Sequence, residues 1–410
     1  MTWAPVPSGS PFSMANLPFG VVRPTGGPND EPRVVVRIGD HVLDLAAAGI
    51  EPALTARPTL NPVMESGRGH EIRERAEDVL LGPERGDWLR PVADHDVLLP
   101  VAVGDYVDYY SSLDHAANVG RILRPSDEPL RPNWRQLPVG YHGRSGTIAV
   151  SGTPVIRPDG LVAGADGIGR LQPTSALDFE LEVGFLVGGA RASRIAADDA
   201  DRHVFGAVLL NDWSARDIQA FEYQPLGPNL AKSFMTTISP WVVTMDALRP
   251  FLVRSPTQEP TPDPYLRTEL PWGLDLALQV DLDGNPITRT NFDRMYWTFA
   301  QQLAHTTING ATTGAGDLFG SGTVSGPTRA ERGSMIELAW GGTDPITLAD
   351  GSSRSFLQDG DTVTMRGFFG ERSGARDDRV GFGDLVGTVS ASVLMAHSAT
   401  RRVDDAPLSS

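Results

Sequence analysis

Apolar and polar residues change rhythm along the chain, and the rhythm predicts mostly strands. Arg33-Val34-Val35-Val36-Arg37-Ile38 is β-branched and short, and Gly39-Asp40 follows it as a turn. His41 to Leu45 then returns as the second arm of a hairpin. Glu71 to Leu81 has helical spacing. Further short runs predict strands at Phe179 to Val187, Val204 to Leu210, Leu274 to Val280, Met335 to Trp340, Thr362 to Arg366 and Asp384 to Val389. Asp283-Gly284 marks a hairpin turn. One long helix is predicted over Asn291 to Ile308, with Asn291 as its N-cap. Arg254 to Pro271 carries five prolines and reads as an exposed loop. Strands outnumber helices, so a sandwich or roll is favoured over alternating βαβ units. The organisation expected is a small domain over 1–100, a larger one over 101–397, and a frayed tail over 398–410.

Composition narrows the function. The 410 residues carry 35 basic and 51 acidic side chains, a net charge of −16. Such a surface repels phosphate backbones and anionic lipid, which argues against nucleic-acid and membrane-surface roles. No apolar run reaches the length of a membrane span, and the N-terminus lacks a basic start before an apolar stretch, so a cytoplasmic address is the expectation. Cys is 0, which removes disulfides, thiolate metal sites and cysteine nucleophiles. Of the 35 basic residues only Lys232 is lysine. Either it is a chance survivor of codon bias, or it sits where a compact ammonium is needed and a planar guanidinium fails.

Four segments carry candidate chemistry. In Asp178-Phe179-Glu180-Leu181-Glu182-Val183 acidic and apolar residues alternate, as in a half-buried strand. The three carboxylates then project from one face, successive ones roughly 6.6 Å apart. They form either a solvated edge or an all-oxygen site for a hard cation such as Mg²⁺ or Ca²⁺. Asp212, Arg216, Gln219 and Tyr223, spaced 4, 3 and 4, share one stripe if a helix begins at Asp212. Lys232 follows next to Ser233, Thr236 and Thr237, where it can stabilise negative charge on oxygen. Ser111 or Ser112 can cap a helix toward Leu123. That places His115 in its first turn, where the helix dipole favours a neutral ring suited to act as a base. A capping or solvated histidine is the bland alternative. Gly314 to Thr323 is glycine-rich but is no phosphate loop. The G-x-S-x-G, H-E-x-x-H and strand-to-helix G-x-G-x-x-G patterns are missing. The residues alone point to a metal-assisted enzyme acting on a small anion.

Longer runs add a resemblance. Asp108-Tyr109-Tyr110-Ser111-Ser112, His115 to Gly120, Pro132-Asn133-Trp134, Leu137 to Arg144 and Val150 to Pro154 resemble the fumarylacetoacetase family. So do Leu177 to Glu182, Asn211 to Gln219, Tyr223 to Pro228, Lys232 to Val243, Thr323 to Gly326 and Asp359 to Asp361. Asn16 to Gly20 resembles its N-terminal part, so the match spans roughly the whole chain in order.

The resemblance implies a mostly β fold, with a small SH3-like N-terminal barrel followed by a large mixed β-roll. It implies a homodimer and hydrolysis of a C–C bond in a small diketo acid, 4-fumarylacetoacetate, the last step of tyrosine and phenylalanine catabolism. The implied metal ligands are Asp108, Glu180, Glu182 and Asp212, with a second cation near Asp212, Lys232 and Thr236. His115 matches the base, oriented by Glu337. Arg216, Gln219 and Lys232 match the oxyanion groups. Tyr110, Arg124, Tyr141, Gln219, Tyr223 and Thr323 match substrate contacts. Asp178 is left over and is expected to face elsewhere through a local irregularity.

Three departures bear on substrate fit. Met235 stands where the family usually has glycine, Leu113-Asp114 replaces a more basic or amide pair, and the loop over 254–271 diverges. A related acylpyruvate hydrolase, or a metal-binding dimer without catalysis, are the alternatives. Segments like those around His115 and Gly140 to Arg144 argue against the first. An intact base pair beside a lysine argues against the second.

Overall fold

The computed structural model describes residues 2–25, 31–372, 374 and 379–394; the expected tail over 398–410 lies outside them. Strand outweighs helix, 31% against 23%. The N-terminal part contains β1 (Phe19–Pro24), β2 (Arg33–Ile38), β3 (His41–Asp44), α1 (Gly69–Leu81), β4 (Leu89–Pro91) and β5 (His95–Leu98). Its strands form an antiparallel half-barrel in the order β4-β3-β2-β1-β5. Val34, Val35 and Val36 are all buried because β2 is central and covered on both faces.

The larger part follows with β6 (Tyr106–Tyr109), α2 (Leu113–Leu123), β7 (Gly140–His142), β8 (Ile148–Val150), β9 (Leu181–Val187), β10 (Val204–Asp212), α3 (Arg216–Glu222), α4 (Leu230–Ser233) and β11 (Thr236–Ile238). Then come β12 (Leu276–Leu282), β13 (Asn285–Asn291), α5 (Phe299–Thr307), β14 (Leu318–Gly320), α6 (Met335–Leu338), β15 (Thr362–Phe369) and β16 (Leu385–Ser390). A mixed sheet runs β7-β6-β14-β9-β10-β11-β8. One face packs on the half-barrel through Leu186, Val208, Leu210 and Leu318 against Phe19, Val34 and Ile72. The other packs through Val183 and Leu209 toward a second sheet, β13-β12-β15-β16. Trp213, fully buried, lies where a Cβ on Gly387 of β16 would stand 2.3 Å from its ring. This double covering explains why β10 reads as a continuous apolar run.

The structure departs from the sequence expectations at four places. The stretch from Phe179 is not one half-buried strand. Leu177–Asp178 pairs with Ser214–Ala215, Glu180 bridges Ser334, and β9 starts only at Leu181, with every residue buried. Met335–Leu338 is a helix, because a short apolar run carries no period that separates strand from buried helix. The long helix is shorter. Asn291 ends β13, and its side chain accepts from Asp293 N in a 3-10 turn. The true cap is Thr298, paired with Gln301 in a capping box. Asp212 ends β10, and α3 begins at Arg216, so the four-residue stripe does not lie on one helix.

Candidate active site

The acidic group sits where four strands meet edge to edge. β14 runs parallel to β6 with Gly320 opposite Asp108, and antiparallel to β9 with Gly320 opposite Gly184. Glu182 lies one pleat from Gly184 on the same face. A Cβ on Gly320 would stand 3.0 Å from both Asp108 Oδ1 and Glu182 Oε2. The bare backbone of Gly320 therefore lets two carboxylates converge over it. Asp212 enters from β10, opposite Thr236 of β11. Asp108, Glu180, Glu182 and Asp212 are buried, and each offers an oxygen within 4.8 Å of the others, a group that can hold a metal ion.

The electrostatics fit a cation there. Asp108 Oδ1 and Glu182 Oε1 are buried acceptors with no partner among the described residues. Four carboxylates face two cationic side chains, and one of these, Arg216, is shared with Asp178. Burial, reinforced by Asp212, pushes the Asp108 carboxyl well above its ordinary range. Burial, reinforced by Asp108, does the same to Glu182. Glu180 goes the other way: burial opposes its charge, but Lys232 and Arg216 outweigh burial and hold it ionised. An all-oxygen set with unsatisfied lone pairs suits a hard divalent ion.

Lys232, from α4, is buried and reaches into this group. Its Nζ donates to Glu180 and, at 2.5 Å, to Asp212 Oδ2. Burial disfavours the ammonium, yet Asp212 and Glu180 raise its pKa above the ordinary lysine value. Thr236 Oγ1 donates to Asp212 Oδ1 at 3.1 Å. Arg216 donates Nε to Asp178 at 2.7 Å, Nη2 to Glu180 at 2.5 Å and Nη1 to Gln219 Oε1 at 3.0 Å. The interrupted strand does not turn Asp178 to an unrelated surface; Asp178 and Glu180 grip the same guanidinium. Asp178 lies outside the four-carboxylate group.

His115 stands beside the acids. Ser112 Oγ caps α2 by accepting from His115 N. The ring is buried, with Nδ1 2.6 Å from Glu337 Oε2 and Nε2 3.8 Å from Glu180 Oε1. Glu337 is fully buried and also accepts from Asn118 Nδ2 (2.9 Å), Ser325 Oγ (2.8 Å) and Ser334 Oγ (2.8 Å). Burial opposes its charge, but His115 and these donors lower its pKa. An ionised Glu337 places the ring proton on Nδ1 and leaves Nε2 as an acceptor facing the acids. Asn118, Ser325 and Ser334 escaped the sequence reading. Only Asn118 had a signal, its i+3 spacing from His115 on one helix face.

The remaining candidates are placed unevenly. The Tyr110 ring packs edge-on against His115, with centroids 5.3 Å apart. Tyr141 donates its hydroxyl to Asp212 Oδ2 at 3.3 Å. Arg124 Nε and Thr323 Oγ1 are buried with no partner among the described residues. The Tyr223 hydroxyl accepts from Gln224 Nε2 at 2.8 Å. Met235 packs into the apolar core. A cavity of about 660 Å³, lined by Tyr141, Arg144, Asp212, Lys232 and Thr236 among others, opens onto the group.

The chain matches the fumarylacetoacetase N-terminal model over residues 15–102 and the fumarylacetoacetate hydrolase C-terminal model over 106–390. It is 44% identical over 391 residues to a protein named fumarylacetoacetase from Oryza sativa subsp. japonica, covering 88% of this chain and 91% of that one. It is 44% identical over 425 residues to the one from Homo sapiens, covering 96% and 100%. Among solved structures it resembles a fumarylacetoacetate hydrolase from Exiguobacterium antarcticum, with TM-score 0.54, 19% identity and coverage of 91% and 99%. It also resembles maleylpyruvate hydrolase from Sphingobium sp. SYK-6, with TM-score 0.53, 16% identity and coverage of 91% and 100%. These two likenesses concern the fold.

Proposed function

The chain belongs to the fumarylacetoacetase family, and from that premise we propose that it hydrolyses 4-fumarylacetoacetate to fumarate and acetoacetate, the last step of tyrosine and phenylalanine breakdown. The observation that carries the reading is the buried His115–Glu337 pair set against four converging carboxylates.

Asp108, Glu180, Glu182 and Asp212 are the proposed ligands of a divalent ion, Mg²⁺ or Ca²⁺. When bound it would supply Lewis acidity to the substrate's carbonyl oxygens and offset the crowded negative charge. A second cation beside Asp212 would be met by Thr236. Lys232, whose ammonium has no lone pair, could offer it only a main-chain carbonyl.

The chain's own residues then divide the work. His115 Nε2 takes a proton from water, and ionised Glu337 stabilises the imidazolium. The hydroxide attacks the fumaryl carbonyl, the one bonded to the CH=CH unit. Arg216, Gln219 and Lys232 hold the oxyanion from fixed positions. The C–C bond breaks with its electron pair leaving on acetoacetate as an enolate, and the proton held on His115 completes that product. Tyr110, Arg124, Tyr141, Tyr223 and Thr323 are the proposed substrate contacts. The unpartnered Arg124 Nε and Thr323 Oγ1 support this, because a bound anion would satisfy them.

Among the described residues no helix is long and apolar enough to cross a membrane. A cytoplasmic address and a homodimer complete the proposal. The hairpin Asp159–Ala163/Gly169–Pro173 leaves Leu161, Ile168 and Leu171 exposed, which supports a second copy as a partner.

A turnover assay tests the reading. Purified protein meets fumarylacetoacetate and, separately, a simple acylpyruvate, with Mg²⁺ or Ca²⁺ and again with chelator. Metal-dependent release of fumarate and acetoacetate is expected, with little acylpyruvate cleavage. Cleavage of acylpyruvate alone would transfer the protein to another substrate. A folded, metal-loaded sample that cleaves neither would be a binding protein.

A further inference from the structure

Asp178 belongs to the acidic run but not to the metal group, and it is completely buried. Its two oxygens accept three hydrogen bonds from two separate elements. Arg216 Nε comes from the start of α3 at 2.7 Å. Met335 N, at 2.6 Å, and Ile336 N, at 3.1 Å, come from the first turn of α6. The main chain adds a third tie, because Asp178 pairs with Ser214, two residues before Arg216. α6 carries Glu337, and Arg216 is the proposed oxyanion group. One carboxylate thus spans the two halves of the machinery.

We propose that Asp178 is a positioning residue that fixes the Arg216 fork and the Glu337 helix relative to one another. The inference rests on the roles assigned to Arg216 and Glu337 above. Physically, Arg216 holds Asp178 through Nε and Glu180 through Nη2. Two anchors on a planar fork leave the guanidinium no freedom to rotate, and Nη1 is left aimed toward Gln219. The same carboxylate satisfies two main-chain N–H groups of α6 that have no partner within the helix. Removing it releases the guanidinium and loosens the helix that aims Glu337 at His115. Both losses fall on transition-state stabilisation. Neither removes a metal ligand or a substrate contact.

The test is the Asp178→Asn variant, compared with parent, Arg216→Lys and Glu337→Gln, each metal-loaded. For Asp178→Asn, kcat should fall about 10–100-fold, the range typical of residues that orient a reacting group. KM should stay within about threefold, and bound metal should be unchanged. In the Arg216→Lys background, where the fork is already lost, Asp178→Asn should cost less than it does in the parent, because only the hold on the Glu337 helix is left to lose. A purely structural Asp178 would lower thermal stability yet leave kcat per metal-loaded site intact, or act additively with Arg216→Lys; either result overturns the proposal. Asp178→Glu covers the case in which the asparagine variant does not fold. It keeps the buried charge but misplaces the oxygens by one methylene, so parental kcat in that variant also overturns the proposal. If Arg216→Lys and Glu337→Gln themselves retain parental kcat, the site roles fail and the Asp178 role falls with them. If those two lose activity and Asp178→Asn does not, only the Asp178 proposal falls.

Discussion

Glu337→Gln isolates one charge at the centre of the proposed mechanism. Oε2 of Glu337 accepts from His115 Nδ1, Ser325 Oγ and Ser334 Oγ, and Oε1 accepts from Asn118 Nδ2. A glutamine can place its amide oxygen at the Oε2 position and keep the first three donors. Its NH₂ then meets Asn118, which can flip and present an oxygen. The fold should survive, at a cost of about 1–3 kcal/mol for hydrogen bonds that lose their charged acceptor. The chemistry should not. With a neutral partner the imidazolium formed on His115 loses its counter-charge in a buried site. Neutralising the carboxylate partner of a base histidine elsewhere costs roughly 10⁴ in kcat. We expect a loss of about 10³–10⁴-fold here, or about 4–5.5 kcal/mol of barrier. Release of fumarate and acetoacetate at saturating substrate reads kcat. Bound metal and circular dichroism report whether the site and fold remain. A kcat within tenfold of the parent, in a folded and metal-loaded variant, would refute the orienting role of Glu337.

Four further outcomes follow from the same geometry. His115→Ala should abolish turnover while bound metal, measured by elemental analysis, stays at the parental level; metal loss would remove His115 from the role of base. Lys232→Arg should lower kcat about 10²–10³-fold although every other basic residue of the chain is arginine, because a wide fork must enter the space where Nζ meets Glu180 and Asp212. Unchanged turnover would return Lys232 to chance survival. Gly320→Ala should weaken metal affinity about 10–100-fold by calorimetry, since the added methyl would stand 3.0 Å from oxygens of Asp108 and Glu182; parental affinity would refute the cradle. Metal binding should release protons and strengthen as pH rises above the ordinary carboxylate range, because Asp108 and Glu182 have raised pKa values and retain protons in the metal-free fold. The sign for stability is the same: with raised pKa values, the metal-free fold loses stability as pH rises through them, so the thermal shift given by metal should grow with pH. Glu337 has the opposite sign, its lowered pKa adding stability above about pH 4.3 that is lost as pH falls. Calorimetry in buffers of different ionisation enthalpy would refute the first claim by showing no proton release.

What the sequence revealed depended on how far apart the cooperating residues lie. His115 was legible because its setting is local: Ser112 and the apolar spacing toward Leu123 specify a helix start with the ring in its first turn. Glu337 was not. Residue pattern alone put it in a strand, and only the family resemblance paired it with a histidine 222 positions away. Asn118, Ser325 and Ser334 remained hidden, since a hydroxyl or amide becomes meaningful only when a fold aims it at a buried carboxylate. The polar stripe Asp212, Arg216, Gln219 and Tyr223 does not lie on one helix. Arg216 and Gln219 do share a face of α3 and hydrogen-bond at 3.0 Å, but Asp212 joins them from the end of β10 and not from that helix.

The acidic run shows most clearly what alternation can and cannot say. Period two predicts one strand with carboxylates on one side, which the structure interrupts at Phe179-Glu180; it cannot distinguish solvent from a buried cation site, and it treats Asp178, Glu180 and Glu182 as equivalent. Burial makes them different. Glu182 converges with Asp108 over the bare backbone of Gly320, and both carboxyls are driven toward protonation. Glu180 is held ionised between Lys232 and Arg216. Asp178 is spent on Arg216 and two main-chain N–H groups. Three acids in alternate positions thus acquire three separate tasks through the cations and donors that other segments bring to them. The glycine-rich stretch Gly314 to Thr323, which matched no phosphate-binding motif, supplies through Gly320 the space that lets the first of those tasks exist.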